Sequence, residues 1–251
     1  VLYTTHNTMR GVALYGNVEQ ICALANRDDV ERISIIEDMA PQNSGTLIDT
    51  DTLSVWAKSP ANPASTGYTG KGVKIAVIDS GIDYTHTDFG GSGKLEDYEK
   101  ASKLTELPSA DSGLINRTKV AGGYDLVGDA YDGTNTATPD GNPLDCTTGG
   151  HGTHVAGTVA AVADSQGVVG VAPNAKIQPI RVLGKCGGSL SDIADAVVWA
   201  AGGTVAGVPA NPNPADVINM SLGGSGMCGT TYQNAINAAV SIGKARGPTG
   251  S

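Results

Sequence analysis

The sequence predicts an α/β fold with a mostly parallel central sheet. Three short runs rich in β-branched and other apolar residues indicate buried strands: VKIAVI at 73–78, IQPIRVL at 177–183 and DVINMSL at 216–222. Segments of helical composition alternate with these runs, at 151–163, 191–201 and 231–242. Strands and helices that alternate in this way form βαβ units with right-handed crossovers. The polar stretch from 85 to 150 is predicted to form long surface loops.

The first 40 residues are predicted to form a separate, smaller unit. Strands are expected at 11–15 (GVALY) and 30–36 (VERISII), where apolar residues recur with strand spacing. Between them, Asn17 is predicted to cap a helix, because Gln20 follows at the spacing of a capping box. The chain then becomes polar and rich in Pro and Gly, which places a domain boundary near 40–50. A short helix is expected at 53–58.

Composition narrows the class of protein. Of the 251 residues, 40% are hydrophobic and 16% are charged, which suits a packed globular core and argues against disorder. No apolar run approaches the roughly 18 residues that a membrane helix needs. The formal net charge of −9 argues against a general binder of nucleic-acid phosphates. We expect neither a membrane nor a nucleic acid as a partner, and we expect a monomer.

Two residues in this pattern are placed to carry chemistry. Asp79 directly follows the run at 73–78, and ligands of an open parallel sheet bind beyond the carboxyl ends of its strands. Taken alone, Asp-Ser-Gly is more simply a turn. His151 begins the segment HGTHVAGTVAA, whose glycines and alanines allow a helix to pack closely on a sheet. A zinc pair of His151 and His154 is disfavoured because the sequence has no HExxH pattern, and we expect His154 to be packed structurally.

Glycines follow the other two predicted strands. The residues concerned are Gly187 and Gly188 after the run at 177–183, and Ser221, Leu222, Gly223 and Gly224 at the end of the run at 216–222. Glycine at the end of a strand lets another backbone approach closely, which suits an extended peptide bound through main-chain hydrogen bonds. Taken alone, each segment is more simply an ordinary turn between a strand and a helix.

Taken in chain order, these segments resemble the subtilisin-like serine proteases, or subtilases. The matching residues are AVIDSGID (76–83), HGTHVAGTVAA (151–161), GVAPNAKIQPIRVL (170–183) and VINMSLGG (217–224). The resemblance implies a three-layer subtilisin-like fold whose central sheet is C-terminally incomplete, with a truncated catalytic domain at 71–243 and an atypical tail at 244–251. It also implies that residues 1–40 are part of a ferredoxin-like α+β propeptide that inhibits in cis, and that 41–70 are a linker and the start of the mature chain.

The resemblance implies a secreted endopeptidase that acts on proteins or peptides and needs no cofactor for catalysis. Asp79 would orient the imidazole of His151, and His151 would take the proton of a serine nucleophile and deliver it to the leaving amine. The glycine segments at 187–188 and 221–224 would hold the substrate backbone. The chain begins with Val1 rather than Met, so we expect the signal peptide to lie outside it.

Structural calcium and one disulfide are further expectations. Asp88 and Asp164 fall where subtilases often bind structural calcium, although both could equally be solvated surface carboxylates. None of the four cysteines forms a CxxC motif, which argues against a zinc ribbon. Cys186 and Cys228 lie beside the two glycine segments and are the expected pair, with Cys146 and Cys186 as the competing pair.

The sequence departs from the family at the nucleophile. Subtilases carry the catalytic serine in a Gly-Thr-Ser-Met-Ala motif, and these 251 residues contain no Gly-Thr-Ser. The family's Ala-Gly-Asn turn, which supplies the oxyanion-hole asparagine, is also missing from them. We therefore expect a precursor fragment that is inactive by itself. The alternative is a catalytically dead, subtilase-like protein that binds peptides.

Overall fold

The computed structural model describes residues 3–5, 11–13, 17–25, 27, 29–30, 50–57, 67–133, 135–146, 150–164, 166–184, 187–224 and 229–246. The chain divides into two units, Val1–Ala40 and Pro41–Ser251. In the first unit, β1 (Tyr3–Thr5) pairs antiparallel with β2 (Gly11–Ala13), and α1 (Val18–Ala25) follows.

The predicted capping box at the start of α1 is confirmed. The Asn17 backbone N–H donates to Gln20 Oε1 at 3.1 Å, and the Gln20 backbone N–H donates to Asn17 Oδ1 at 2.9 Å. Each side chain thus satisfies a backbone donor that the helix leaves without a partner. The strand predicted at 30–36 lies, apart from Val30, outside the described residues.

Within the described part of the second unit, four parallel strands form one sheet: β3 (Lys74–Asp79), β4 (Tyr124–Asp125), β5 (Lys176–Arg181) and β6 (Val217–Asn219). Their order is β4-β5-β3-β6. Strand β3 lies between β5 and β6, with Asp79 opposite Arg181 and Val77 opposite Asn219. The parallel sheet predicted from the sequence is confirmed. Strand β6 is shorter than predicted, because it ends three residues before the end of the run at 216–222.

Helices cover both faces of this sheet. The described helices of this unit are α2 (Thr52–Trp56), α3 (Leu95–Ala101), α4 (His151–Ala160), α5 (Leu190–Ala200) and α6 (Thr230–Arg246), and α4 and α5 lie directly against strands of the sheet. Side chains of β3 alternate between the faces: Ala76 and Ile78 share one buried cluster with residues of α5, and Ile75 and Val77 share another with residues of α4. The result is a three-layer α/β arrangement. None of the described helices combines the length and apolar character that crossing a bilayer requires.

Two sequence predictions about this unit are wrong in detail. The stretch from 85 to 150 is more than surface loops, since it contains α3, β4 and a short 3-10 helix, Thr87–Phe89, and it buries Phe89, Val120 and Leu144. These apolar residues occur singly rather than at regular spacing, so no periodic pattern in the sequence predicts that they are buried. Helix α6 continues four residues past its predicted end at 242, because Lys, Ala and Arg at 244–246 are good helix formers.

Candidate active site

Asp79 and His151 meet at the carboxyl end of the sheet. Asp79 is the last residue of β3 and is fully buried, whereas His151 is the first residue of α4 and its side chain is 56% exposed. The distance between His151 Nδ1 and Asp79 Oδ1 is 2.8 Å. An ionised carboxylate can only accept, so Nδ1 carries the proton and donates it. The lone pair of Nε2, on the other side of the ring, is then available as a base.

The carboxylate of Asp79 is held by the backbone as well. The Ser80 backbone N–H donates to Asp79 Oδ1 at 2.7 Å. The second oxygen, Oδ2, is buried, and no donor among the described residues reaches it. Both hydrogen bonds to this carboxylate, from the Ser80 backbone and from the His151 ring, thus converge on Oδ1.

Gly152 allows α4 to approach β3 this closely. A Cβ atom at this position would overlap the carbonyl oxygen of Gly81 and would lie 3.2 Å from Asp79 Cβ. Any larger residue would push the start of the helix away from the strand. The glycine that directly follows His151 is therefore part of the reason that the imidazole reaches the carboxylate.

Asp145, which sequence reasoning missed, joins this site from the loop before α4. Its carboxylate is buried and accepts hydrogen bonds from the Thr153 backbone N–H at 3.0 Å and from Ser80 Oγ at 2.9 Å. Burial raises the pKa of the Asp145 carboxyl, and the donors from Thr153 and Ser80 oppose that rise. The one sequence signal for such a group is Gly150, since a helix preceded by glycine must find its capping side chain elsewhere.

A buried ion pair lies next to this network. Arg181, at the end of β5, lies 3.3 Å from the buried Asp125, and it also donates at 2.5 Å to Asp129, whose side chain is 65% exposed. Burial raises the pKa of Asp125 to about 6, and the positive charge of Arg181 opposes that rise. A cavity of about 290 Å³ adjoins the pair, lined by Arg181, Asp145 and Tyr98 among others. The guanidinium partly balances the carboxylates buried at this end of the sheet.

The predicted glycine segments end up on either side of Asp79, because β5 and β6 flank β3. Gly187 has a φ of 115°, which favours glycine, and a Cβ at Gly188 would overlap the Val182 carbonyl oxygen. At Gly223 and Gly224 an added Cβ would meet nothing within 4 Å. Packing against the described residues therefore does not require glycine at 223 and 224. Ser221 is exposed and Leu222 is half-buried.

The two predicted calcium ligands meet at the loop that follows α4: Asp164 belongs to this loop, and Asp88 packs against it. The Asp88 carbonyl accepts from the Val162 backbone N–H at 2.9 Å. Asp88 Oδ1 is buried, has no hydrogen-bond partner among the described residues and lies against Gly167, where a Cβ would overlap it. Asp164, in the same loop, is exposed and accepts from the Gln166 backbone N–H at 2.8 Å. An orphaned carboxylate oxygen beside a loop fits the oxygen ligands that calcium prefers.

The remaining predictions concern His154, a bound metal and the cysteine pair. His154 is exposed, so its predicted structural packing is wrong: Gly152 and Ala156 form the buried face of α4, and the residue midway between them points the other way. No cluster of three or more His, Cys, Asp or Glu side chains that could hold a metal occurs in the part of the chain that the structure describes. Cys186 and Cys228 lie outside the described residues, so their pairing stays a prediction.

Comparisons with known proteins give a consistent picture. The model of the subtilase family, Peptidase S8, matches residues 70–247. An extracellular protease of Xanthomonas campestris pv. campestris is 42% identical over 249 residues, which cover 90% of this chain and 37% of that protein. An extracellular basic protease of Dichelobacter nodosus is 43% identical over 179 residues, covering 70% of this chain and 28% of that protein.

A solved structure agrees as well. The chain matches a protease of Pseudoalteromonas arctica with a TM-score of 0.52 and 44% identity, over 70% of this chain and 48% of that one. The chain thus spans less than half the length of each of these three relatives. The matched region of the family model includes every residue of the site described above.

Proposed function

Because this chain belongs to the subtilase family, we propose that it forms part of a secreted serine endopeptidase in which His151 transfers the protons and Asp79 orients and stabilises its ring. The observation that carries the proposal is the 2.8 Å contact between a buried carboxylate and an exposed imidazole. The names of the Xanthomonas and Dichelobacter relatives, both extracellular proteases, support secretion.

In this proposal His151 acts as base and then as acid. With Nδ1–H bound to Asp79, Nε2 accepts the proton of a serine hydroxyl as that oxygen attacks the peptide carbonyl. The imidazolium that forms is stabilised by the buried charge of Asp79. Nε2 then gives the proton to the departing amine, which leaves the acyl group on the serine and restores the neutral ring. Water, deprotonated by the same Nε2, attacks this ester, and the serine regains its proton as the acid product leaves.

We further propose that the glycine segments bind the substrate as an extended strand. They follow the two strands that flank β3, and no described residue would meet a Cβ at Gly223 or Gly224, which supports contact with a peptide backbone there. Main-chain hydrogen bonds would supply affinity for proteins and peptides of varied sequence. Residues 1–40 would act as part of the inhibitory propeptide in cis.

The proposal also includes a structural calcium ion held by Asp88 and Asp164. Its support is the buried Asp88 Oδ1 that has no described hydrogen-bond partner. The two carboxylates and carbonyls of the 162–167 loop would provide oxygen ligands, and the ion would stabilise the fold without taking part in the reaction.

The direct test uses the full reading frame that contains these residues and the 251-residue chain by itself. We expect the full protein to hydrolyse casein and to be inactivated by phenylmethylsulfonyl fluoride, which sulfonylates activated serines with loss of fluoride. We expect no turnover from the 251 residues alone, because they contain no Gly-Thr-Ser and neither an acyl-enzyme nor an oxyanion hole can form. Turnover by the chain alone, lost in His151→Ala, would contradict the inactivity; a full protein that ignores the reagent would contradict the serine mechanism.

The alternative, a peptide-binding protein without catalysis, is favoured by one observation. The chain retains both glycine segments while it has no Gly-Thr-Ser. A Gly-Thr-Ser segment in the downstream reading frame supports the protease, and a stop codon shared by related strains supports the binding protein.

A further inference from the structure

Helix α4 presents His151 at its first position but has no capping side chain of its own. The residue before it, Gly150, offers no side chain, and the first turn of any helix leaves backbone N–H groups without intrahelical partners. Two of these donors are satisfied from outside the helix. The Gly152 N–H donates to Ser80 Oγ at 3.0 Å, and the Thr153 N–H donates to Asp145 Oδ2 at 3.0 Å.

The carboxylate of Asp145 is fully used in this arrangement. Besides the Thr153 N–H, Oδ2 accepts from Thr153 Oγ1 at 2.6 Å, and Oδ1 accepts from Ser80 Oγ at 2.9 Å and from the Cys146 N–H at 3.0 Å. Asp145 is only 2% exposed, so these bonds replace its contact with water. A negative charge at a helix N-terminus is also favoured by the helix dipole.

Ser80 links this cap to Asp79. Its backbone N–H donates to Asp79 Oδ1 at 2.7 Å, while its hydroxyl donates to Asp145 and accepts from Gly152. One residue thus contacts the strand carboxylate, the start of α4 and the buried acid of the loop. The positions of Asp79 and of the helix that carries His151 are coupled through it.

We propose that Asp145 is a positioning residue for the Asp79–His151 pair. It holds the first turn of α4, directly at Thr153 and through Ser80 at Gly152, so that His151 Nδ1 stays within hydrogen-bond distance of Asp79. None of its hydrogen bonds among the described residues goes to the imidazole, so it acts through the helix. Its meaning for catalysis rests on the proposed function, whereas the geometric claim is independent of it.

The test is proton NMR of the 251-residue chain with ¹⁵N-labelled histidine, which shows the His151 Nδ1–H as a low-field resonance that His151→Gln assigns. Asp145→Asn keeps the size of the side chain but replaces one acceptor by an NH₂ group and removes the charge. We expect the resonance to disappear and the amide protons of Gly152 and Thr153 to exchange with solvent at least about fivefold faster. An unchanged resonance with unchanged exchange overturns the proposal.

Asp192→Asn is the matched control, because Asp192 is an acid in the first turn of a different helix, α5, and its loss should alter neither readout. If Asp145→Asn does not fold, Ser80→Ala is the second test. We expect its Gly152 amide proton to exchange faster with solvent and its His151 Nδ1–H resonance to disappear. A Gly152 amide proton as protected from exchange as in the wild type overturns the proposal. Neither readout involves a substrate, so a chain that fails the protease test can still pass this one.

Discussion

The contact between Asp79 and His151 depends on the residue that follows the histidine. Gly152 faces the backbone of Gly81, with no room for a side chain between α4 and β3. Gly157, one turn and a half further along, is different: an added Cβ would meet only side-chain atoms, at 3.6 Å from Asp88 Oδ2 and 3.8 Å from Val168 Cγ2. Substituting each of the two glycines therefore compares a position that contacts backbone with a position that contacts only side chains, within the same helix.

We predict that Gly152→Ala lowers the free energy of unfolding by about 1–3 kcal/mol, because overlap with backbone forces the helix to shift. Gly157→Ala should leave it unchanged or raise it by up to about 1 kcal/mol, since alanine favours the helix. Urea denaturation of both variants measures the difference. Equal stabilities would show that close approach at residue 152 is not required.

Sequence reasoning could identify Asp79 and His151 because each occupies a boundary that the pattern reveals: the end of a β-branched run and the start of a run of small residues. It could not identify Asp145. That carboxylate reaches Ser80 across 65 residues of sequence, through a loop whose path no periodicity encodes. The outward orientation of His154 could have been derived, since the glycine and alanine spacing of α4 marks its buried face.

At the scale of elements, the loop after α4 and the buried carboxylate of Asp88 bear on the stability of the fold. Asp88 Oδ1 is buried against Gly167 without a hydrogen-bond partner among the described residues, and such a carboxylate oxygen costs free energy unless a cation or donor meets it. The 3-10 helix that carries Asp88 and the 162–167 loop are thus expected to be stabilised together by a bound ion.

We predict that calcium raises the melting temperature of the chain. At a free concentration one hundred times Kd, binding to the folded state alone adds about 2.7 kcal/mol. Asp88→Asn should abolish the calcium-dependent part of the shift, whereas Asp111→Asn, at an exposed position, should retain it. Scanning calorimetry with and without EGTA provides the comparison. An Asp88→Asn chain that responds to calcium as the wild type does would exclude this site.

At the scale of the whole molecule, sheet order brings the functional segments together. The strand order β5-β3-β6 could not be predicted from the sequence, yet it places the strands that lead into both glycine segments on either side of β3, which ends at Asp79. The alternation of strands and helices could be predicted because β3, β5 and β6 each fall within a short run rich in apolar residues. The elements between 85 and 150 escaped prediction because their stability comes from tertiary contacts of isolated residues such as Phe89 and Val120.

The central claim is that His151, held by Asp79, is the base of a serine endopeptidase. Its most direct measurement is kcat/KM for peptide hydrolysis by the full protein with His151→Ala, compared with His154→Ala on the exposed side of the same helix. We predict a loss of at least about 10⁴-fold for His151→Ala and less than about threefold for His154→Ala. Comparable activities of the two variants would contradict the account.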